Sequence, residues 1–317
     1  MRAENERYSV TCDDMGNIII RDKEKDREEV ITSLFGVDFS YRYLQWNVAA
    51  AVYLTPDSRY IIATYGIGHI YLIDPVYKKV VRKIILFEEV CYEDTSYESI
   101  YTGPYYNNVT RVDFSSTGRY AAIRVRGDFD PSNPSQDGST PLYFRPVFLL
   151  DLTTLEICFR ESFEDVEERG DSRNIASIAF SPRDRYFAVG ALGNRIKLFS
   201  LEDYSCVGNC GTLGWVPDPC GVMHRQLVCF LTEDALIYAD VKHNIRRIAR
   251  RGQDWRETGV LFTDPTRDTI YSYIEDMEVD RERGTVSCHI AGGRMGGRVE
   301  REERIYKIPV ANWGESY

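Results

Sequence analysis

Short apolar runs separated by turn residues recur along the chain, most clearly at residues 55 to 74, TPDSRYIIATYGIGHIYLID. A polar turn is followed there by an apolar run, a glycine-containing turn and a second apolar run that ends at Asp74. The preceding residues 47 to 54, NVAAAVYL, supply another apolar segment. Alternation of side-chain type, β-branched and aromatic residues and tight turns together predict three short antiparallel strands.

The same order of segments returns twice, as NVTRVDFSSTGRYAAIRV from Asn108 and as NIASIAFSPRDRYFAVGALGNRIKLFS from Asn174. A partial copy, RYSVTCDDMGNIIIRD, ends at Asp22, and we predict that it lacks the first strand. All four copies contain an Arg-Tyr pair, at residues 7–8, 59–60, 119–120 and 185–186. Successive pairs are 52, 60 and 66 residues apart, a spacing that indicates a repeat array and not a single hairpin.

Each repeat predicts a small antiparallel sheet, so the fold class is all-β. One such sheet cannot bury both of its faces alone, and neighbouring sheets must therefore stack. We predict that the third strand ends as IIIRD, YLID, FLLD, KLFS and IYAD in five repeats. In the last third of the chain, QLVCFL, ALIYAD and NIRRIARR predict three strands, and VLFTD, TIYSYIEDMEVD, TVSCHIA and RIYKIPV predict at least one further unit.

The succession of an apolar strand, S-P-x-x-R-Y, a second strand, a turn and a third strand ending in Asp resembles the WD-repeat family of β-propellers. The resemblance covers roughly residues 7 to 252, and the repeats are degenerate. The residue before Asp is not Trp but Arg21, Ile73, Leu150 or Ala239, and Gly68-His69 lies between the second and third strands.

The resemblance implies that residues 1–317 form a single β-propeller domain of four-stranded antiparallel blades. Six or seven blades fit the chain length, and seven is favoured because it is the commoner ring in this family. Because the N-terminal copy lacks a first strand, we expect the C-terminal residues 304–310, RIYKIPV, to complete a blade with N-terminal strands.

Composition and charge narrow the range of partners. The net charge of −10 opposes binding to nucleic acid or to an anionic membrane. The basic segment from Ile245 to Arg256 is expected to be an exposed strand edge with protective charges. There is no signal-peptide core at the start, MRAENERYSV, so we expect a cytoplasmic protein whose eight cysteines are reduced.

Three unusual segments are predicted to lie on one face, because loops between second and third strands emerge on the same side as loops between blades. They are residues 87–108, 127–146 and 161–171, and they are rich in acids, tyrosine, proline or serine. Such a face favours a protein or peptide partner with a basic segment. The predicted partner-binding residues are Tyr92, Glu93, Asp94, Tyr97, Glu98, Tyr101, Tyr105 and Tyr106. The alternative is that the acids are solvated and the tyrosines pack between blades.

Three cysteines and a histidine in one region are candidate ligands for a zinc ion. Cys206, Cys210, Cys220 and His224 have the right chemistry, but the first pair is spaced Cys-x3-Cys, unlike the usual Cys-x2-Cys knuckle. We place Cys206 on a fourth strand and Cys210 in the loop after it, and we expect no metal or other cofactor.

We find no motif for a nucleophile, a phosphate loop or a dinucleotide. The predicted function is therefore a non-catalytic scaffold for protein–protein interaction. Two alternatives stay open. One is a propeller hydrolase or lyase with an active site in the central channel, whose residues would leave no linear motif. The other is a regulatory subunit that senses a small ligand.

Overall fold

The computed structural model describes residues 2–13, 17–31, 51–65, 68–86, 108–126, 146–162, 175–191, 195–214, 226–240, 242–265, 271–293 and 302–310. All regular elements in these ranges are β-strands, and they form six antiparallel sheets. Within the same ranges, no helix is long and apolar enough to cross a membrane. The chain divides into two compact units, residues 1–114 with 118–164, and residues 115–117 with 165–317.

The first unit contains three four-stranded sheets, in each of which the strands are hydrogen-bonded in chain order. The first sheet consists of β1 (Arg2–Glu4), β2 (Tyr8–Cys12), β3 (Ile18–Asp22) and β4 (Arg27–Ile31). The second consists of β5 (Ala51–Leu54), β6 (Ile61–Tyr65), β7 (His69–Asp74) and β8 (Lys79–Ile85). The third consists of β9 (Asn108–Phe114), β10 (Tyr120–Arg126), β11 (Pro146–Asp151) and β12 (Glu156–Ser162).

The second unit contains two four-stranded sheets and one three-stranded sheet. The four-stranded sheets are β13 (Ile175–Phe180), β14 (Tyr186–Ala191), β15 (Arg195–Ser200) and β16 (Cys206–Thr212), and then β17 (Val228–Thr232), β18 (Ala235–Ala239), β19 (Asn244–Arg251) and β20 (Asp254–Thr263). The sixth sheet consists of β21 (Tyr271–Asp280), β22 (Thr285–Gly293) and β23 (Glu302–Pro309).

Apolar side chains between neighbouring sheets form the cores. In the first unit, one cluster includes Ile18 and Ile61 from the first and second sheets, and another includes Ile62 and Ile123 from the second and third. In the second unit, a single cluster joins residues of all three sheets. The sheets therefore bury their faces against one another, as the repeat array predicted.

The polar turn of the repeat has a specific hydrogen-bond pattern. The backbone N–H of Tyr60 donates to Oγ1 of Thr55 at 3.0 Å, and that of Tyr186 donates to Oγ of Ser181 at 3.0 Å. The four arginines of the Arg-Tyr pairs lie over the rings of the adjacent tyrosines, with Cζ 4.8 to 5.9 Å from the ring centroid. Each tyrosine lies at or next to the start of the second strand. The repeat is therefore a structural unit and not a chance similarity.

The closing aspartate of the third strand caps the following turn. The carboxylate of Asp74 accepts the N–H of Val76 at 2.7 Å and of Tyr77 at 2.9 Å. Asp22 and Asp151 accept backbone N–H groups two residues further on in the same way. The aspartate recurs at the end of the third strand because its carboxylate accepts hydrogen bonds from the backbone N–H groups of the next turn.

Several sequence predictions are corrected. The first repeat does not lack its first strand, because Arg2–Glu4 pairs with β2. Of residues 304–310, all but Val310 lie in β23, which pairs with β22. Pairing between the ends of the chain stays a prediction. IYAD ends the second strand of the fifth sheet, not a third strand. Of the segment Ile245–Arg256, residues 245–251 lie in β19, which pairs with β18 and β20 and is not an edge, whereas residues 254–256 lie in β20, the last strand of that sheet.

Candidate functional site

One end of the third sheet carries the attachment points of the three unusual segments. Arg126 at the end of β10 pairs with Asn108 at the start of β9, and Pro146 at the start of β11 pairs with Ser162 at the end of β12. Arg124 pairs with Val147, which brings these four strand ends to one end of the sheet. The segments that adjoin these strand ends are residues 87–107, 127–145 and 163–174, which differ by a few terminal residues from the predicted segments 87–108, 127–146 and 161–171.

These three segments are the source of the acidic character of the chain. Together they contain 13 aspartates and glutamates and 3 arginines, so their net charge of −10 equals that of the whole protein. The predicted partner-binding residues Tyr92, Glu93, Asp94, Tyr97, Glu98, Tyr101, Tyr105 and Tyr106 lie outside the described residues. Their assignment stays a prediction, whereas the strand ends beside them are defined.

The zinc candidates are described only in part. Cys206 lies on a fourth strand as predicted, but Cys210 lies in the same strand β16 and not in a loop. Burial raises the pKa of Cys210 to about 11, so the free thiol is neutral near pH 7. Cys220 and His224 lie outside the described residues. No group of three or more His, Cys, Asp or Glu side chains could hold a metal within the described ranges.

A buried charged cluster, not found by sequence analysis, lies between the second and third sheets. It consists of Tyr53 on β5, Arg111 and Asp113 on β9, and Arg124 on β10, and we call it the Arg111 cluster. Nε and Nη2 of Arg124 donate to Oδ2 of Asp113 at 2.9 and 2.7 Å. Nε of Arg111 lies 2.6 Å from Oδ1 of Asp113. Two guanidinium groups therefore share one carboxylate.

The electrostatics of the Arg111 cluster follow from its burial. The exposed fractions of the side chains are 6% for Arg124, 11% for Asp113 and 21% for Arg111. Burial lowers the pKa of Arg124, an effect opposed by Asp113 and increased by Arg111. Burial, with the charge of Asp113, raises the pKa of Tyr53. The cluster therefore places two guanidinium groups and one carboxylate in a poorly solvated region, where charged groups need close partners.

The register of β9 and β10 brings the like charges together. Arg111 and Arg124 are direct cross-strand partners, and the register then shifts so that Val125 pairs with Val109. Like charges opposite each other destabilise a sheet, and bulges often lie where a side chain is redirected for function. The signal that could have revealed the pair is the tight SSTG turn, which fixes the register of the two strands.

A second polar cluster, in the second unit, is centred on Asp276 of β21. Its Oδ1 accepts the N–H of Gln226 at 2.6 Å and the N–H of Met277 at 3.0 Å. His289 is the cross-strand partner of Asp276. Burial raises the pKa of Asp276 above its usual value, and these two hydrogen bonds oppose the increase. This carboxylate joins β21 to the residues that lead into β17.

The raised pKa of Asp276 gives the first testable prediction. Replacement by asparagine keeps an oxygen acceptor for both N–H groups and removes a charge that burial disfavours. The folded state holds the Asp276 proton more tightly than the unfolded state does, so this residue lowers stability above its folded pKa. We expect Asp276→Asn to be at least as stable as wild type at pH 7, with a difference that shrinks towards about pH 4, near the ordinary pKa of an aspartate.

Urea unfolding at both pH values measures this effect. Asp276→Ala is the matched control, since it leaves the N–H groups of Gln226 and Met277 without their acceptor and should cost about 1–3 kcal/mol. Equal losses for asparagine and alanine would show that the charge itself is needed, contrary to the expectation.

Comparison with known proteins gives no independent identification. No family model matches the chain. No curated protein matches it either.

Proposed function

We propose that the six sheets are blades of a WD-repeat-type β-propeller and that the protein is a non-catalytic scaffold for protein–protein interaction. The proposed partner is a protein or peptide with a basic segment, held by the acidic, tyrosine-rich segments. The repeated turn, the antiparallel sheets and the stacking of their apolar faces support the proposed fold. Seven blades stay the favoured number in this proposal.

The observation that carries the functional proposal is the meeting of four strand ends at one end of the third sheet. Asn108, Arg126, Pro146 and Ser162 lie there in register, and segments with a net charge of −10 adjoin them. A rigid sheet that carries long loops is a common arrangement for binding surfaces. Opposite charge on a partner would speed its association and orient it, with a strong dependence on salt.

Tyrosine gives such a surface its contact area. Segment 87–107 contains Tyr92, Tyr97, Tyr101, Tyr105 and Tyr106 among its acids, with no lysine or arginine. A tyrosine ring buries apolar area while its hydroxyl forms hydrogen bonds, and tyrosine is enriched in interface centres. The mechanism that we propose is therefore positioning of a partner, not bond chemistry.

The test is affinity purification of the tagged protein from its native cell lysate, with bound proteins quantified at moderate and high salt. We expect a stoichiometric partner that is released at high salt. The triple variant Tyr97→Ala, Glu98→Ala, Tyr101→Ala should weaken binding of that partner about tenfold or more, since truncating a central interface residue costs over about 1 kcal/mol.

A control variant combines Glu24→Ala and Tyr77→Ala, which remove an exposed acid and an exposed tyrosine from the first two sheets. This variant should retain the partner in full. Undiminished capture by the triple variant would place the binding surface elsewhere and refute the assignment of these residues.

A further inference from the structure

The sixth sheet has one strand fewer than each of the other five. In those five sheets the third strand along the chain is hydrogen-bonded to a fourth. The strand β23 is third in its sheet, and within the described ranges no strand pairs with its other edge. The N–H and C=O groups along such an edge can pair with a further strand.

The backbone of β23 shows which residues direct these groups to the open edge. The N–H of Val310 donates to the carbonyl of Gly284 at 3.1 Å, and the pairing of β22 with β23 runs through the whole of β23 without a shift. Successive residues of a strand direct their N–H and C=O groups to opposite sides. The even-numbered residues therefore direct these groups towards β22, whereas Ile305 and Lys307 direct theirs towards the open edge.

This edge lacks the irregularity that protects other outer strands. The pairing of the outer strands β8, β12, β16 and β20 contains a register shift in each case, and such bulges discourage pairing with a further strand. The side chain of Ile305 is also 60% exposed, although its cross-strand partner, His289, is polar. A strand added at this edge would cover an apolar residue and satisfy main-chain groups.

The sequence of β23 is complementary to itself. Charges on an edge usually deter pairing, but β23 contains both signs. If two copies pair antiparallel with Ile305 opposite Ile305, the register places Glu303 of each copy opposite Lys307 of the other. Opposite charges and β-branched residues are favourable cross-strand partners. Moving the two-fold axis to Arg304 or to Lys307 would place like charges opposite each other.

We propose that β23 pairs antiparallel with β23 of a second copy of this chain, with Ile305 at the two-fold axis. Such an interface uses the same surface of both copies, so the assembly closes at two. The N-terminal strands, which the sequence suggested as neighbours of this region, already form a four-stranded sheet of their own. The inference does not depend on the proposed function, because it uses no residue of the acidic segments.

The test is sedimentation equilibrium of the purified protein over a series of concentrations. One strand from each copy gives a small interface, so we expect a reversible dimer with a Kd of about 1–100 μM. Ile305→Lys places like charges opposite each other at the axis and should raise the Kd about tenfold or more. The matched control is Val260→Lys, the same type of change at a 48%-exposed residue of β20, and it should keep the wild-type Kd.

A wild type that stays monomeric throughout the series would overturn the proposal, since the edge would then be free or covered by another segment of the same chain. A dimer that Ile305→Lys does not weaken would overturn it too, because the copies would be joined elsewhere.

A charge exchange tests the register without changing an apolar residue. Lys307→Glu places two acids opposite each other and should raise the Kd about tenfold. The double variant Glu303→Lys, Lys307→Glu restores opposite charges and should return the Kd to the wild-type value. A double variant as weak as Lys307→Glu would contradict the proposed pairing.

Cross-linking tests the position of the two-fold axis. Under mild oxidation, Ile305→Cys should form a disulfide between copies, because directly opposed residues have Cα atoms about 5.5 Å apart. Lys307→Cys should not, because two copies of that position lie about 13 Å apart along the strands. Peptide mapping separates these bonds from disulfides of the native cysteines. Cross-linking at position 307 and not at 305 would refute the assigned axis.

Discussion

Replacement of Asp113 by alanine is expected to lower the free energy of unfolding by about 3–5 kcal/mol, because it removes the carboxylate that accepts two hydrogen bonds from the buried guanidinium of Arg124. Arg124 is 6% exposed and directs two nitrogens at this carboxylate, at 2.9 and 2.7 Å. Arg111 also loses its anion, and it lies directly across from Arg124 in the register. Denaturant unfolding of the purified variant measures the loss.

Two control variants test whether the loss of stability comes from the buried Asp113–Arg124 pair or from the removal of any carboxylate. Asp254→Ala removes an exposed ion pair with Arg256 and should change stability by less than about 1 kcal/mol. The double variant Asp113→Leu, Arg124→Met replaces the pair by apolar groups and should recover most of the stability lost in Asp113→Ala. A loss below about 1 kcal/mol in Asp113→Ala itself would mean that Arg124 reaches water and that the cluster is not closed.

Replacement of Trp255 by alanine should cost about 3–5 kcal/mol, since it opens a large cavity between two sheets of the second unit. Trp255 is 6% exposed. Its ring meets Tyr186 edge to face at 5.3 Å and Phe230 at 6.1 Å, so it touches the fourth and fifth sheets at once. The close packing extends to Gly208, where a Cβ atom would lie 3.0 Å from Cβ of Trp255. Loss of near-ultraviolet circular dichroism on heating reports the unfolding.

Trp255→Phe is the matched variant. It compares the contribution of the ring's volume to stability with that of the indole N–H group. Nε1 of Trp255 is buried without a hydrogen-bond partner among the described residues, so phenylalanine removes an unsatisfied donor as well as volume. These effects oppose each other, and we expect a cost of only about 1 kcal/mol. If phenylalanine is as damaging as alanine, the indole nitrogen has a partner that stabilises the fold.

The strands of the repeats could be predicted because their determinants are local. Thr55 and Ser181 accept hydrogen bonds within their own turns, and Asp74 caps the turn that follows its strand. Turn chemistry and apolar alternation are both visible within about ten residues of sequence. The all-β class and the sheet-by-sheet organisation follow from them.

Position within a sheet is less local, and the sequence predictions failed there. Asp240 caps the turn after β18 by accepting the N–H of Lys242 at 2.7 Å, just as Asp74 caps the turn after β7. An aspartate therefore follows or ends the second strand in one sheet and the third strand in another. In the first sheet, the three-residue strand Arg2–Glu4 has no apolar run that would reveal it.

The common end of the sheet at which the acidic segments attach could be predicted from the sequence, whereas the buried Arg111 cluster could not. Alternation of strand direction is enough to send the loops before β9, after β10 and after β12 to one end of the sheet. Arg124, in contrast, occurs in AAIRVR, where an arginine between two apolar residues resembles an exposed position. Its burial depends on Asp113 of the neighbouring strand, and only the register reveals that partner.

The turn before three of the four Arg-Tyr pairs has the same backbone conformation with different residues. Ser58, Gly118 and Asp184 have φ values of 60°, 74° and 54°, all in the left-handed region that glycine adopts most easily. Serine and aspartate accept some strain there, which the surrounding turn hydrogen bonds must offset. The three turns thus share a backbone conformation although their residues differ. If the repeats arose by internal duplication, backbone conformation would preserve that origin longer than the amino-acid sequence does.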